Sequence, residues 1–491
     1  MEDASPLTLE AALPPELAAR LLHHPVIAAH RTGRGRGMAE ARIWRDTAEG
    51  TLAGQDLLLE ERRGRQRLIR ILPAGDTPWC PGMPDETGPP LPRGATPPEA
   101  GSDALVPVAA FEGRQQVAPL GPMKALLLHG TLRTVAAERP AARLLLSGPA
   151  GPVTALMREL AAALPLLPPT ATLAEEGRAL ARGEAARPRR QGLADVSGAA
   201  TVEDALARAI GHLLDVVLVQ APLAAAGSGP QGVHQLRVAL RRLRSALRVF
   251  RGAVDGPALR ALDGALRGIL AALGPARDWD VWIEGLGAEI AAAMPEEARI
   301  AELRAAAEAQ REAAYGALRP VLEGPLFRAT IWEGVTLVTL RGWREDATEA
   351  MRTALEGMPA EYGAALLSRR WKRLRRDARD LDRLDSAALH ELRLDAKRLR
   401  YAGEMFAPLW PGKAARRFLR RVARLQDALG LANDVSVARA LIAPLASPRN
   451  GMGWAVGVAE GWAAARLRDT RRDVARCWKR MARTDCFWAG S

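Results

Sequence analysis

The segment GVHQLRVALRRLRSALRVF (Gly232–Phe250) returns further along the chain as ALHELRLDAKRLRYAGEMF (Ala388–Phe406). His234, Leu236, Arg237, Arg242, Leu243, Arg244 and Phe250 recur as His390, Leu392, Arg393, Arg398, Leu399, Arg400 and Phe406, and Lys397 stands for Arg241. Every pair is 156 residues apart, and the same offset carries LGPARDWDV (Leu273–Val281) onto LGLANDVSV (Leu429–Val437), which pairs Asp278 with Asp434. One shift aligning two separate blocks marks an internal duplication.

The 491 residues are too many for one core and suggest two to four domains. The break RGEAARPRRQG (Arg182–Gly192) is the best boundary, giving a domain over 1–190 and another over 195–490. The earlier part is mixed, with short apolar segments at Asp56–Leu59 and Arg67–Leu72, a helical Val153–Leu164, and a Pro/Gly-rich run over Ile71–Gly101 that reads as a long loop. The later part has helical periodicity throughout, with breaks expected at Gly227–Gly232, Gly274–Pro275, Pro320, Pro408–Gly412 and Pro444–Gly453. Apolar runs such as Ala161–Pro169 are too short to cross a bilayer, and the acidic opening MEDASPLTLE does not read as a signal peptide. Cys80, Cys477 and Cys486 lack metal-ligand spacing, so a reduced, cytoplasmic setting is expected.

Charge narrows the partner. Residues 1–190 hold 23 Lys+Arg against 21 Asp+Glu, and the rest holds 46 against 35, so the net +13 belongs mainly to the duplicated part. Almost all of these cations are arginine, whose rigid fork suits phosphate oxygens. Codon bias toward arginine is the plain alternative.

On a helical wheel, Arg237, Arg241, Arg244 and Arg248 fall within roughly 80° beside His234. Leu236, Leu240, Leu243, Leu247 and Phe250 form the adjoining apolar stripe, so the arginines border the core and would line a groove between helices. Only Arg242 points well away. The second copy repeats the stripe with His390, Arg393, Lys397 and Arg400, and Glu404 replaces the last arginine. No carboxylate lies in the first stripe to neutralise it, and nothing there is a nucleophile or a metal-ligand set. A row of fixed cations without acid/base partners suits holding a linear polyanion rather than cutting it. The alternative is a solvated or snorkelling face, against which the duplication at one register argues. The two histidines are expected to donate to phosphate, with no ligand at i+3 or i+4 to complete a metal site. Asp278 and Asp434 are expected to cap a helix or to orient a stripe arginine.

The pair HxLRxxxxRLR and HxLRxxxKRLR, each followed at one distance by LGxA(R/N)D, resembles the CHAD domain, the conserved-histidine α-helical domain. The C-terminal RCWKRMARTDCFW (Arg476–Trp488) is similar to that family's close. The resemblance implies an all-α domain of two pseudo-twofold-related four-helix bundles, with a basic groove that binds inorganic polyphosphate. It carries His234, Arg237, Arg241, Arg242, Arg244, His390, Arg393, Lys397, Arg398 and Arg400 over as phosphate-binding positions, beside Arg248 from the wheel. The N-terminal part is similar to a CYTH domain, a triphosphate-tunnel β-barrel, at LTLEAALPPELAARLLHHP (Leu7–Pro25), WRDTAEGTLAGQDLLLEERR (Trp44–Arg63) and LAEEGRALARG (Leu173–Gly183). There the ExExK signature is reduced to Thr8, Glu10 and Ala12, the barrel's alternating Leu/Arg positions hold Leu57, Leu58, Leu59 and Glu60, and Leu173 stands at the closing lysine. Carboxylates for a metal and cations for three phosphates are largely missing.

The expected protein is therefore a multidomain α+β chain: a degenerate CYTH-like β-barrel followed by the CHAD domain. It is expected to bind polyphosphate in the cytoplasm, on polyphosphate granules, without catalysis, cofactor, metal or membrane. A triphosphatase acting through the barrel is one alternative, with Glu10, Glu60 and Glu61 as poor carboxylate candidates. Nucleic-acid binding by the same helices is the other; aromatic residues are only 4%, which argues against it.

Overall fold

The computed structural model describes residues 6–72, 85–86, 90–92, 94–446, 451–466 and 470–489. It divides into two compact units. One comprises Met1–Gly192 with Leu214–Val219 and Glu323–Gly342, and the other Leu193–Leu213, Gln220–Leu322 and Trp343–Ser491.

The first unit is built on one antiparallel sheet of β1 (Leu7–Ala12), β2 (Arg36–Thr47), β3 (Leu57–Arg62), β4 (Arg65–Arg70), β5 (Asp85–Glu86), β6 (Leu105–Leu120), β7 (Met123–Arg133) and β8 (Glu138–Gly148). The strand order is β1-β8-β7-β6-β2-β3-β4-β5, so β1 and the two-residue β5 stand at the edges. This curled half-barrel is consistent with the likeness to a CYTH barrel. Of the Pro/Gly-rich run, residues 73–84, 87–89 and 93 lie outside the described residues. Gly113 and Gly130 face each other across β6 and β7, and a Cβ on Gly113 would come 2.2 Å from the His129 carbonyl. Only glycine permits that close crossing of strands. Period-two alternation sends Trp44, Leu58, Ile69, Phe111, Leu128 and Leu145 to one face, where Leu173 and Ala174 pack on them. Four helices follow in this region: α1 (Pro15–Leu21), α2 (Pro25–His30), α3 (Ala150–Ala163) and α4 (Leu173–Arg182). A later helix, Pro325–Thr339, packs on α3 within the same unit, where Trp332 Nε1 donates to the Leu166 carbonyl (2.9 Å) and Arg158 pairs with Glu333 (2.7 Å).

Beyond Gly192 every element is helical: α5 (Val202–Ala226), α6 (Pro230–Val249), α7 (Pro257–Trp282), α8 (Ala288–Ala293), α9 (Ala298–Glu323), α10 (Pro325–Thr339), α11 (Glu349–Glu356), α12 (Pro359–Asp377), α13 (Ser386–Phe406), α14 (Lys413–Ile442), α15 (Gly453–Ala465) and α16 (Thr470–Ala482). The duplication reappears in the element starts. Pro230 and Ser386 open α6 and α13, Pro257 and Lys413 open α7 and α14, and each pair is 156 residues apart. Leucines of the repeated stripe are buried in both copies, Leu236, Leu240 and Leu243 on α6 and Leu392 and Leu399 on α13. The two copies meet: α6 packs on α13, and the equivalent Phe250 and Phe406 stand edge-to-face at 5.8 Å, with Tyr362 stacked on Phe250.

Three expectations are corrected. Gly274–Pro275 is not a break, because α7 runs through it with Leu266, Ile269, Leu273, Ala276 and Trp279 buried on both sides. Burying five apolar side chains outweighs the roughly 3 kcal/mol that an internal proline costs. Pro320 likewise lies inside α9. Unbroken apolar runs also understated helix apolarity: Val202–Ala226 and Lys413–Leu445 are each long and apolar enough to span a bilayer. The first is mostly buried in the protein, as a core helix is.

Candidate functional site

The amino-terminal halves of the α6 and α13 stripes converge. Lys397 feels the charges of Arg241, Arg393, Arg237 and Arg248, and burial together with these charges pushes its ammonium down to about 8. Arg241 and Lys397 are equivalent positions, so the stripes confront each other across the relation that joins the two copies. Burial and the neighbouring Arg241 and Arg277 likewise lower Arg237, against the opposing pull of Asp278. Burial, Arg277, Arg241 and Arg237 lower the imidazole of His234. Arg241 Nε is buried with no hydrogen-bond partner, and Arg237 reaches only the Leu270 carbonyl at 3.5 Å. Among the described residues no carboxylate lies within ion-pair distance of Arg237, Arg241 or Lys397. The result is a half-buried nest of cations from α6, α7 and α13, with the buried leucines of α6 and α13 behind them.

The carboxyl-terminal halves behave differently: no carboxylate lies in the first stripe itself, but α7 brings one to its end. Asp263 on α7 accepts from Arg244 at 2.7 Å and lies 3.8 Å from Arg248. Burial works to raise the Asp263 carboxyl, but the Arg244 hydrogen bond and the charges of Arg244, Arg248 and Arg267 outweigh it and hold the group low. On α13, Arg400 donates to Glu404 at 2.8 Å. The arginines off the stripe are also accounted for. Arg242 reaches across the copies to within 4.0 Å of Glu404, and Arg398 pairs with Asp395 at 2.6 Å. Asp395 is buried and also accepts from Arg373 at 2.9 Å. These arginines act as clamps within the helical unit.

His234 is half-buried at the edge of the nest, while His390 is exposed. Asp278 lies inside α7, and the backbone of Asp434 lies inside α14, so neither caps a helix start. Asp278 sits where its charge opposes that of Arg237, without an ion pair to it, and burial raises its carboxyl. The side chain of Asp434 lies outside the described residues. Sequence reading missed Arg277 as a member of the nest and Asp263 as its boundary. Arg277 stands inside the repeated LGPARD block and could have been singled out there.

In the sheet unit Glu10, Glu40, Glu60 and Glu176 are each held by another side chain. Arg143 lies 3.4 Å from Glu10 and also pairs with Glu176, which Arg139 holds at 3.1 Å. Glu60 accepts from Trp44 Nε1 at 2.9 Å, and Glu40 is shared by Arg62, Arg42 and Arg63. Glu10, Arg42, Trp44, Glu60, Arg70 and Leu173 line one small cavity. Among the described residues no three of His, Cys, Asp and Glu are grouped so as to hold a metal ion. The cavity is thus a mixture of acids and arginines, with Ile69, Leu128, Leu145 and Leu173 as its apolar lining.

Residues 208–443 match the family model of the CHAD domain. The crystal structure of the CHAD domain from the plant Ricinus communis is 27% identical to the chain, with a TM-score of 0.51, over 61% of this chain and 98% of that one. PptA from Streptomyces chartreusis is 17% identical with a TM-score of 0.44, over 56% of this chain and 99% of that one, too slight a likeness to argue from. No curated protein matches.

Proposed function

This chain is a CHAD-domain protein, and from that premise we propose that its helical unit binds inorganic polyphosphate in the nest between α6 and α13. The observation that carries the reading is Lys397, crowded by Arg237, Arg241 and Arg393 with no carboxylate in reach among the described residues. Arg237, Arg241 and Lys397, gathered without an ion pair among the described residues, raise the energy of the free protein, and a linear polyanion relieves all three at once. Arginine forks take phosphate oxygens in pairs, while Lys397 acts as a point charge. His234, held toward its neutral form, donates through one ring nitrogen. We read the nest as holding the chain and not cutting it. The Arg244–Asp263 and Arg400–Glu404 pairs bound the site at its far end. A place on polyphosphate granules in the cytoplasm follows from this reading.

The test is fluorescence-anisotropy binding of labelled polyphosphate to the full-length protein at physiological salt, with unlabelled polyphosphate and single-stranded DNA of equal charge as competitors. Arg237→Glu with Arg393→Glu is expected to abolish binding while helix content by circular dichroism is unchanged. Retained affinity in that variant rules out the nest. Equal displacement by DNA makes polyphosphate one polyanion among several.

A further inference from the structure

The two copies are unequal on one face. Lys413, Arg416, Arg417, Arg420 and Arg424 of α14 are all exposed. At about 100° per residue they share an arc of roughly 100°, drawn out over about 16 Å. The positions 156 residues earlier, on α7, hold Pro257, Arg260, Ala261, Gly264 and Gly268. The equivalent helix therefore forms without four of these five cations. The one it shares, Arg260, is paired with Asp255 at 3.0 Å, and the counterpart of Asp255 is Pro411. The second copy carries these cations and has no acid at the position of Asp255.

Nor is the stripe an ordinary solvated face. Such faces alternate sign at three- and four-residue spacing, whereas Lys413 to Gln426 contains no acid and a single one, Asp427, follows at the far end of the stripe. Among the described residues none of the five side chains makes an ion pair or a hydrogen bond, although the neighbouring Arg421 donates to the Arg480 carbonyl and to Thr484. Lys413 and Arg416 also occupy the first turn of α14, where the helix dipole disfavours cations.

We propose that this outer face of α14 is a second phosphate-chain surface, which engages polyphosphate long enough to extend beyond the nest. It rests on the reading of the nest as a polyphosphate site. Charge complementarity selects the occupant. Phe418 is the only aromatic residue from Lys413 to Gln426 and is fully buried, so the stripe itself offers no ring for stacking bases. Phe418, Val422 and Leu425 form the core side of the helix, so this half of α14 has no apolar face left to enter a lipid surface.

The test compares the full-length protein with its Arg417→Gln, Arg420→Gln, Arg424→Gln variant. Glutamine keeps helix propensity and removes only charge. The probes are a short oligophosphate, long-chain polyphosphate, single-stranded DNA and anionic phospholipid vesicles. The variant is expected to lose at least about tenfold in long-chain affinity and about 2 in the slope of log affinity against log salt, at roughly 0.7 per lost contact. Its affinity for the short chain should stay unchanged. Unaltered long-chain affinity and slope overturn the proposal, as does a loss confined to DNA or vesicles. Failure of the nest reads differently, because Arg237→Glu with Arg393→Glu would then retain the short chain.

Discussion

Lys397→Met should make the free protein more stable and a poorer polyphosphate binder. The magnitude follows from the crowding of the nest. Burial and four arginines move the Lys397 ammonium from an ordinary 10.5 to about 8. At about 1.4 kcal/mol per pH unit, that is a charge penalty of about 3 kcal/mol at neutral pH. The side chain is only half-buried, and solvent screening brings the figure to about 1–2 kcal/mol. The folded value lies below the unfolded one, so between about 8 and 10.5 the unfolded chain holds a proton that the folded protein has shed. Stability of the wild type therefore rises with pH across that window, and the penalty is fully present below it. Methionine removes the penalty, so the variant should melt about 3 °C higher at pH 7. That gain should shrink as the pH is raised toward 10. Scanning calorimetry at a series of pH values measures both, and anisotropy should show polyphosphate affinity down by about tenfold, the value of one charge-assisted contact. Loss of stability at pH 7 would refute the reasoning. A gain that is the same at pH 7 and pH 10 would also refute it, because the benefit would then come from the methionine's packing.

Asp263→Asn leaves Arg244 without its partner and should cost about 3 kcal/mol in urea unfolding, with polyphosphate affinity little changed. The wild-type pair adds stability above the ordinary carboxylate range and loses it as pH falls through the lowered Asp263 value, so the difference between the two proteins should narrow in acid. Phe406→Ala opens a cavity where the two copies meet and should cost about 3–5 kcal/mol, read as a lower melting temperature. In the sheet unit, isothermal titration with Mn²⁺ should show no saturable binding, because Glu10, Glu60 and Glu176 are already held by Arg143, Trp44 and Arg139. Saturable binding that vanishes in Glu10→Gln would return the triphosphatase reading.

What the sequence determines by itself is whatever periodicity and repetition encode. The 156-residue offset specified two equivalent helical halves, and the 3.6-residue spacing of Leu236, Leu240 and Leu243 specified which side of α6 is buried and that Arg237 and Arg241 border it. Both are properties of positions near one another along the chain. The breaks read from proline were less dependable, since burial along α7 overrides Pro275. Which charges remain unpaired was decided only by tertiary structure. Arg244 looked as free as Arg241 until α7 brought Asp263 to it across 19 residues, and Arg242 finds Glu404 only because α13 lies against α6. Arg237 and Lys397, 160 positions apart, act on each other for the same reason. A charge is satisfied by whatever stands a few ångströms away. That neighbourhood is set by how the helices pack, which no local pattern records.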